Sequence, residues 1–113
     1  MKVYDLQPPP DKSILFQRDQ YILVPKLSGC YVLTNTDNDI LYIGQAVNIN
    51  NRFQQHLDNP EKTNITREGI AWKFWYLQYN SKRITFLENT WLQEFQQKEG
   101  HIPILNKVQA PIG

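Results

Sequence analysis

The chain has 113 residues, enough for one domain with a real core and too few for two. A composition of 41% hydrophobic and 20% charged residues, with three Trp, six Tyr and five Phe, excludes a disordered chain. A net charge of +1 excludes a protein drawn to nucleic acid or membrane by overall charge. Locally the balance shifts: Arg52, Lys62, Arg67, Lys73, Lys82 and Arg83 face only Asp58, Glu61 and Glu68 between residues 45 and 83. The single cysteine, Cys30, rules out an internal disulfide and suits a reducing compartment. The opening MKVYDLQPPPDK lacks the apolar core of a signal peptide, and no apolar run approaches the ~20 residues of a membrane span. The expectation is a cytoplasmic protein.

In chain order, residues 1–23 read as an N-terminal arm. Pro8, Pro9 and Pro10 favour an extended conformation, and the runs SILF and YILV are available as an added strand. Residues 24–113 read as the domain proper. It opens with a hairpin, CYVL and ILYIG around the turn-rich TNTDND. A symmetric turn centred on Thr36 and Asp37 sets Tyr31 opposite Tyr42 and Leu33 opposite Ile40. Alternation then gives both tyrosines one face and Cys30, Val32, Leu41 and Ile43 the other.

Asn48 is placed to cap a helix through INNRFQQHL, whose apolar stripe is Ile49, Phe53 and Leu57. Arg52 and His56, four apart, fall on the edge of that stripe. LDNPEKTNITREG reads as a polar loop, and IAWKFWYLQY as a third strand with Trp72, Phe74 and Tyr76 on one face. Asn80 or Ser81 can cap a helix from about Lys82 to Glu99, stopped by Gly100, and Pro103 begins a closing segment, IPILNKV. The last helix carries an anomaly. Ile84, Leu87, Trp91, Leu92 and Phe95 form its apolar stripe, and Glu88 lies inside it. A buried carboxylate is costly without a partner or a metal, and a salt bridge to Arg52 or Lys73 is the bland way to satisfy it.

Order and spacing supply another account. GCY at 29–31, YIG at 42–44, Arg52 ten residues after Tyr42, His56 four later, Glu88 on the next long helix and PILN near the end resemble the GIY-YIG nuclease family. The similarity covers residues 24–107 and looks most like the module of bacterial excision-repair incision subunits and small stand-alone members. It implies an α+β fold, a small three-stranded antiparallel sheet flanked by helices. It further implies a metal-dependent endonuclease hydrolysing phosphodiester bonds in DNA, with RNA as the other candidate substrate.

By the same resemblance Tyr31, Tyr42, Arg52, His56, Glu88 and Asn106 are the catalytic set, and Gly29 and Gly44 the structural glycines. Glu88 would bind a single Mg²⁺ or Mn²⁺, Arg52 would neutralise the phosphoryl charge, and Tyr31 would activate water with His56 accepting its proton. Tyr42 would position phosphate or water, and Asn106 would orient backbone or the glutamate helix. Two positions depart from the pattern: Cys30 replaces the usual isoleucine, and Gln45 stands where a lysine is common. The competing expectations are a catalytically silent module that binds structured nucleic acid, and an interaction domain pairing with a protein partner or a second copy. Lys62, Arg67, Lys73, Lys82 and Arg83 read as solvated charges before phosphate contacts, and Trp72, Trp75 and Trp91 as core before base-stacking platforms.

Overall fold

Six consecutive buried residues, Gly29 to Thr34, form the strand on which the rest is assembled. The computed structural model describes residues 1–106. Its strands are β1 (Lys12–Leu15), β2 (Gly29–Thr34), β3 (Ile40–Ala46) and β4 (Lys73–Gln78), and its helices α1 (Ile49–Leu57), α2 (Pro60–Thr63) and α3 (Ile84–Glu99). The sheet order is β1-β4-β2-β3, antiparallel at every pairing. The three expected strands form the α+β core, and the SILF run of the arm adds a fourth, pairing Ile14 with Phe74. β2 is therefore central, covered on both faces, while β1 and β3 are edges.

The hairpin register differs from the symmetric one by two residues. Tyr31 pairs with Gly44 and Leu33 with Tyr42, after which the ladder slips so that Thr34 pairs with Ile40. A two-residue displacement preserves sidedness. Tyr31 and Tyr42 consequently share a face as expected, and Cys30, Val32 and Ile43 the other. Leu41 corrects the expectation. The residue skipped by the slip breaks the alternation, and Leu41 packs with Tyr31 and Leu33 instead of with Cys30.

Each face has its own helix. α1 lays Ile49 and Phe53 on the tyrosine face beside Phe16 and Phe74. Asn48 caps it as the sequence predicts, its side chain accepting from the Asn51 amide at 3.1 Å. α3 lays Ile84, Leu87, Trp91 and Phe95 on the Cys30 face, where Val3 and Leu6 of the arm join them. Trp91 Nε1 donates to the Pro8 carbonyl at 2.9 Å, tying the arm to that helix. Gly100 ends α3 with φ +81°, a left-handed turn that a side chain disfavours.

β4 starts at Lys73, later than the run IAW suggests. Trp72 bridges instead, donating its amide to the Thr34 carbonyl at 2.8 Å and accepting from the Phe16 amide at 2.8 Å. The closing segment returns to β3 through the Leu105 amide, 2.9 Å from the Leu41 carbonyl. Lys107 and Val108 of the expected IPILNKV run lie outside the described residues. Among the described residues no helix is long and apolar enough to cross a membrane.

Candidate active site

The site forms along edge strand β3, where a glycine thins the sheet. A Cβ added to Gly44 would sit 2.5 Å from the Tyr31 hydroxyl and 2.8 Å from Tyr42 Cε1. The phenol of Tyr31 thus occupies the space that any other residue at 44 would need. Gly29 answers a different demand, since its Cβ would meet the Leu77 carbonyl oxygen at 2.2 Å.

On the tyrosine face, Tyr31 is fully buried and its hydroxyl lies 2.5 Å from His56 Nε2. Tyr42 is half-buried, with its ring centroid 5.9 Å from that of Tyr31 and 5.2 Å from that of His56. α1 supplies both His56, 6% exposed, and Arg52, half-exposed one turn earlier. Burial, then the positive charges of Lys62 and Arg52, push the His56 imidazole down to about 3. It is neutral near pH 7, so Nε2 can accept the Tyr31 proton. Burial drives the Tyr31 phenol well above its ordinary range, helped by Tyr42 and Glu88 and opposed by Arg52. Burial raises the Tyr42 phenol as well, with Glu88 adding to it and the Tyr31 hydroxyl and the Arg52 charge opposing.

Glu88 approaches from the other side of the edge. Gln45, the residue after Gly44, pairs with Cys30 and so points to the α3 face. There Gln45 Nε2 donates to Glu88 Oε1 at 3.0 Å, while Gln45 Oε1 accepts from the Thr85 hydroxyl at 2.9 Å. Thr85 fixes which way the amide faces, and the amide fixes the carboxylate. Burial raises the Glu88 carboxyl, against the Gln45 bond and the Arg52 charge. Its negative charge in turn reaches both phenols. The salt bridge that would have explained Glu88 blandly is absent. Among the described residues it has no ion pair, and Lys73 spends its ammonium on Asn38 Oδ1 at 2.9 Å.

The donor set around Glu88 is sparse. Among the described residues no three His, Cys, Asp or Glu side chains converge, which leaves one half-buried carboxylate with an amide on one oxygen. That is too few protein ligands for a zinc centre. It fits a hard ion such as Mg²⁺ or Mn²⁺, which keeps several waters and takes a phosphate oxygen beside a single carboxylate.

Asn106 uses both ends of its amide on the backbone of Ile43. Oδ1 accepts from the Ile43 amide at 2.9 Å, and Nδ2 donates to the Ile43 carbonyl at 2.9 Å. It acts as a surrogate neighbour for the edge strand. Sequence reasoning missed Lys62, placed among solvated charges. It is 6% exposed, donates to the Leu105 carbonyl at 3.1 Å, and stands 4.3 Å from the Tyr42 ring centroid. The missed signal was Asn59-Pro60, an N-cap followed by proline in the first turn, which starts α2 within the supposed loop. Of the tryptophans, Trp91 is wholly buried, Trp75 donates to the Thr34 hydroxyl at 3.0 Å, and Trp72 is 40% exposed. An open cavity of about 710 Å³ between Val24–Ser28 and Tyr76–Asn80 contains none of the six expected side chains.

Residues 27–100 match the family model described as the GIY-YIG catalytic domain. Among curated relatives, UvrABC system protein C of Mycoplasma mycoides subsp. mycoides is 30% identical over 84 residues, 72% of this chain and 14% of that protein. The same protein of Pediococcus pentosaceus is 35% identical over 77 residues, 66% of this chain and 13% of that protein. The chain thus spans about one seventh of these relatives. Among solved structures, the GIY-YIG N-terminal endonuclease domain of UvrC from Thermotoga maritima, bound to magnesium as its catalytic divalent cation, superposes with a TM-score of 0.59. That likeness, at 22% identity over 79% of this chain and 93% of the other, is one of fold.

Proposed function

Because the chain belongs to the GIY-YIG family, we propose that it is a divalent-metal-dependent endonuclease hydrolysing phosphodiester bonds in DNA. The observation that carries this reading is Glu88. It is a half-buried carboxylate without an ion-pair partner among the described residues, and its charge reaches two phenols bordering the same glycine.

Hydrolysis needs a base for the attacking water, positive charge for the phosphoryl oxygens, and help for the departing oxygen. Arg52, a permanently charged fork at the half-exposed edge of α1, takes the phosphoryl oxygens. Tyr42 is the phenol that solvent meets, and it orients the water or the phosphate. Tyr31 lies enclosed behind it. It receives the water's proton only if its own passes to His56, and the 2.5 Å contact provides that path. Among the protein's own groups the direction is uphill, because both phenols are pushed up and the imidazole down. Glu88 would hold a divalent ion, which would supply Lewis acidity at the phosphate and offset the negative charge that Glu88 presents to both phenols. Gln45 orients the carboxylate for that ion, and Asn106 holds the strand bearing Tyr42 and Gly44. We assign target selection to a protein partner or a second copy, and the site of action to the cytoplasm, in keeping with a lone cysteine.

The test is nicking of supercoiled plasmid with Mg²⁺ or Mn²⁺ by the wild type beside Glu88→Ala, with structured RNA as a second substrate. The wild type should nick DNA, and the variant should be slower by about a hundredfold or more. Equal DNA binding by both proteins with no nicking by either would leave a silent binding module instead. Cleavage of RNA alone would move the substrate class.

A further inference from the structure

We propose that Lys62 is a positioning residue of the cleavage site, gripping the Tyr42 ring and the Leu105 carbonyl while bringing a positive charge to the side of Tyr42 that His56 shares. The inference rests on the nuclease reading above for its consequence on cleavage, and on packing alone for its geometry.

A lysine only 6% exposed is unusual, since the ammonium is rarely buried unless paired with an acid. Here no carboxylate lies within ion-pair distance among the described residues. The ammonium has the Leu105 carbonyl at 3.1 Å and the face of Tyr42 at 4.3 Å, a cation–π distance. As a mere filler of space, an apolar side chain would serve better, because it would carry no desolvation cost. What the charge does is visible in what surrounds it. Three consecutive residues of β3 are held from outside the sheet. Leu41 offers its carbonyl to the Leu105 amide at 2.9 Å, Tyr42 its ring to Lys62, and Ile43 its amide and carbonyl to Asn106, each at 2.9 Å. Lys62 closes this clamp, because the Leu105 it holds is the neighbour of Asn106. Removing it frees the middle member, the half-exposed phenol.

The same ammonium reaches the proton acceptor through Tyr42, whose ring centroid lies 4.3 Å from Lys62 Nζ and 5.2 Å from that of His56. His56 is faced by the Tyr31 hydroxyl from β2, the Tyr42 ring from β3, Lys62 from α2 and Arg52 from its own helix. After burial, Lys62 is the largest influence holding the imidazole unprotonated, ahead of Arg52. A positive neighbour disfavours a second positive charge, so the lysine keeps Nε2 open to the phenolic proton.

The experiment compares full-length wild type, Lys62→Met, which keeps the stem without the charge, and Lys62→Arg, which keeps the charge. His56 is titrated by NMR, and plasmid nicking is followed against pH. In Lys62→Met the imidazole should titrate at least one pH unit higher. The acid limb of nicking should follow it upward, so that nicking on that limb falls about tenfold per unit, while near neutral pH, where the imidazole is neutral in both proteins, nicking should fall only through the freed Tyr42. Lys62→Arg should keep His56 near its wild-type position. In the wild type, the Lys62 ε-methylene protons should be shifted upfield by the Tyr42 ring, a contact readable without any variant. An unmoved His56 titration in folded Lys62→Met overturns the proposal, as do ε-methylene protons at their random-coil position. If the wild type nicks nothing while His56 still moves, the lysine's coupling to the histidine stands and the nuclease reading falls.

Discussion

The residue that decides the shape of the site is one without a side chain. Gly44 leaves room for the Tyr31 hydroxyl where a methyl group would stand 2.5 Å from it and 2.6 Å from Cζ. Both atoms belong to a fully buried ring stacked 5.0 Å from Phe74, so the ring has nowhere to retreat. Gly44→Ala should therefore cost about 1–3 kcal/mol of unfolding free energy in urea and displace both phenols. Gly100→Ala is the control. Its φ of +81° brings strain, but nothing lies within 4 Å of the added methyl, so its cost should be about 1–2 kcal/mol with nicking retained. Similar nicking by both alanine variants would mean that the close approach at Gly44 does not serve the chemistry. Cys30, by contrast, changes little. Its thiol donates to the Ile84 carbonyl at 3.2 Å, and burial pushes it up to about 12, so it behaves as a small buried hydrophobe in place of the expected isoleucine.

At the scale of elements, what the sequence revealed depended on whether sidedness or position was asked for. The hairpin expectation was two residues out, yet it placed Tyr31 and Tyr42 together, because side-chain alternation tolerates an even error. It misplaced Leu41 because a slip at Leu33/Thr34 has no signature in residue type. Helices with chemical punctuation were legible: Asn48 starts α1 and Gly100 stops α3. Glu88 was conspicuous as a polar residue on an apolar stripe, whereas Lys62 was invisible, a charge among charges until a short helix buried it. Asn106 was legible by position and not by task, since only the fold shows its amide closing the β3 edge at Ile43. Asn106→Ala should orphan two backbone groups and lower stability by about 1–3 kcal/mol. Nicking should fall with it, while Mg²⁺ affinity, measured by calorimetry, stays within about threefold, a shift below 1 kcal/mol. A large loss of Mg²⁺ affinity would instead put the asparagine at the metal.

For the whole molecule, the sheet separates the two halves of the proposed site. The phenols, His56 and Arg52 gather on the α1 face, while Glu88 rides on α3 behind the opposite face. Between them lies β3, an edge strand with glycine at 44, and across it the Glu88 charge reaches both phenols. Such an arrangement costs stability in the protein alone. Burial disfavours the Glu88 carboxylate, the Arg52 charge opposes that only without ion-pair contact, and no cation among the described residues pairs with it. Replacing it by Glu88→Gln, which keeps the shape without the charge, should leave the metal-free fold as stable or more stable, in spite of a lost charge-assisted bond to Gln45. Linkage then gives the complementary result. An ion that binds only the folded protein stabilises it by about 2.7 kcal/mol at a hundred times its Kd. Urea unfolding of the wild type should move to higher denaturant as Mg²⁺ is added, and Glu88→Gln should show no such movement. A variant stabilised by Mg²⁺ as strongly as the wild type would place the ion elsewhere, and one much less stable without metal would make Glu88 a structural residue.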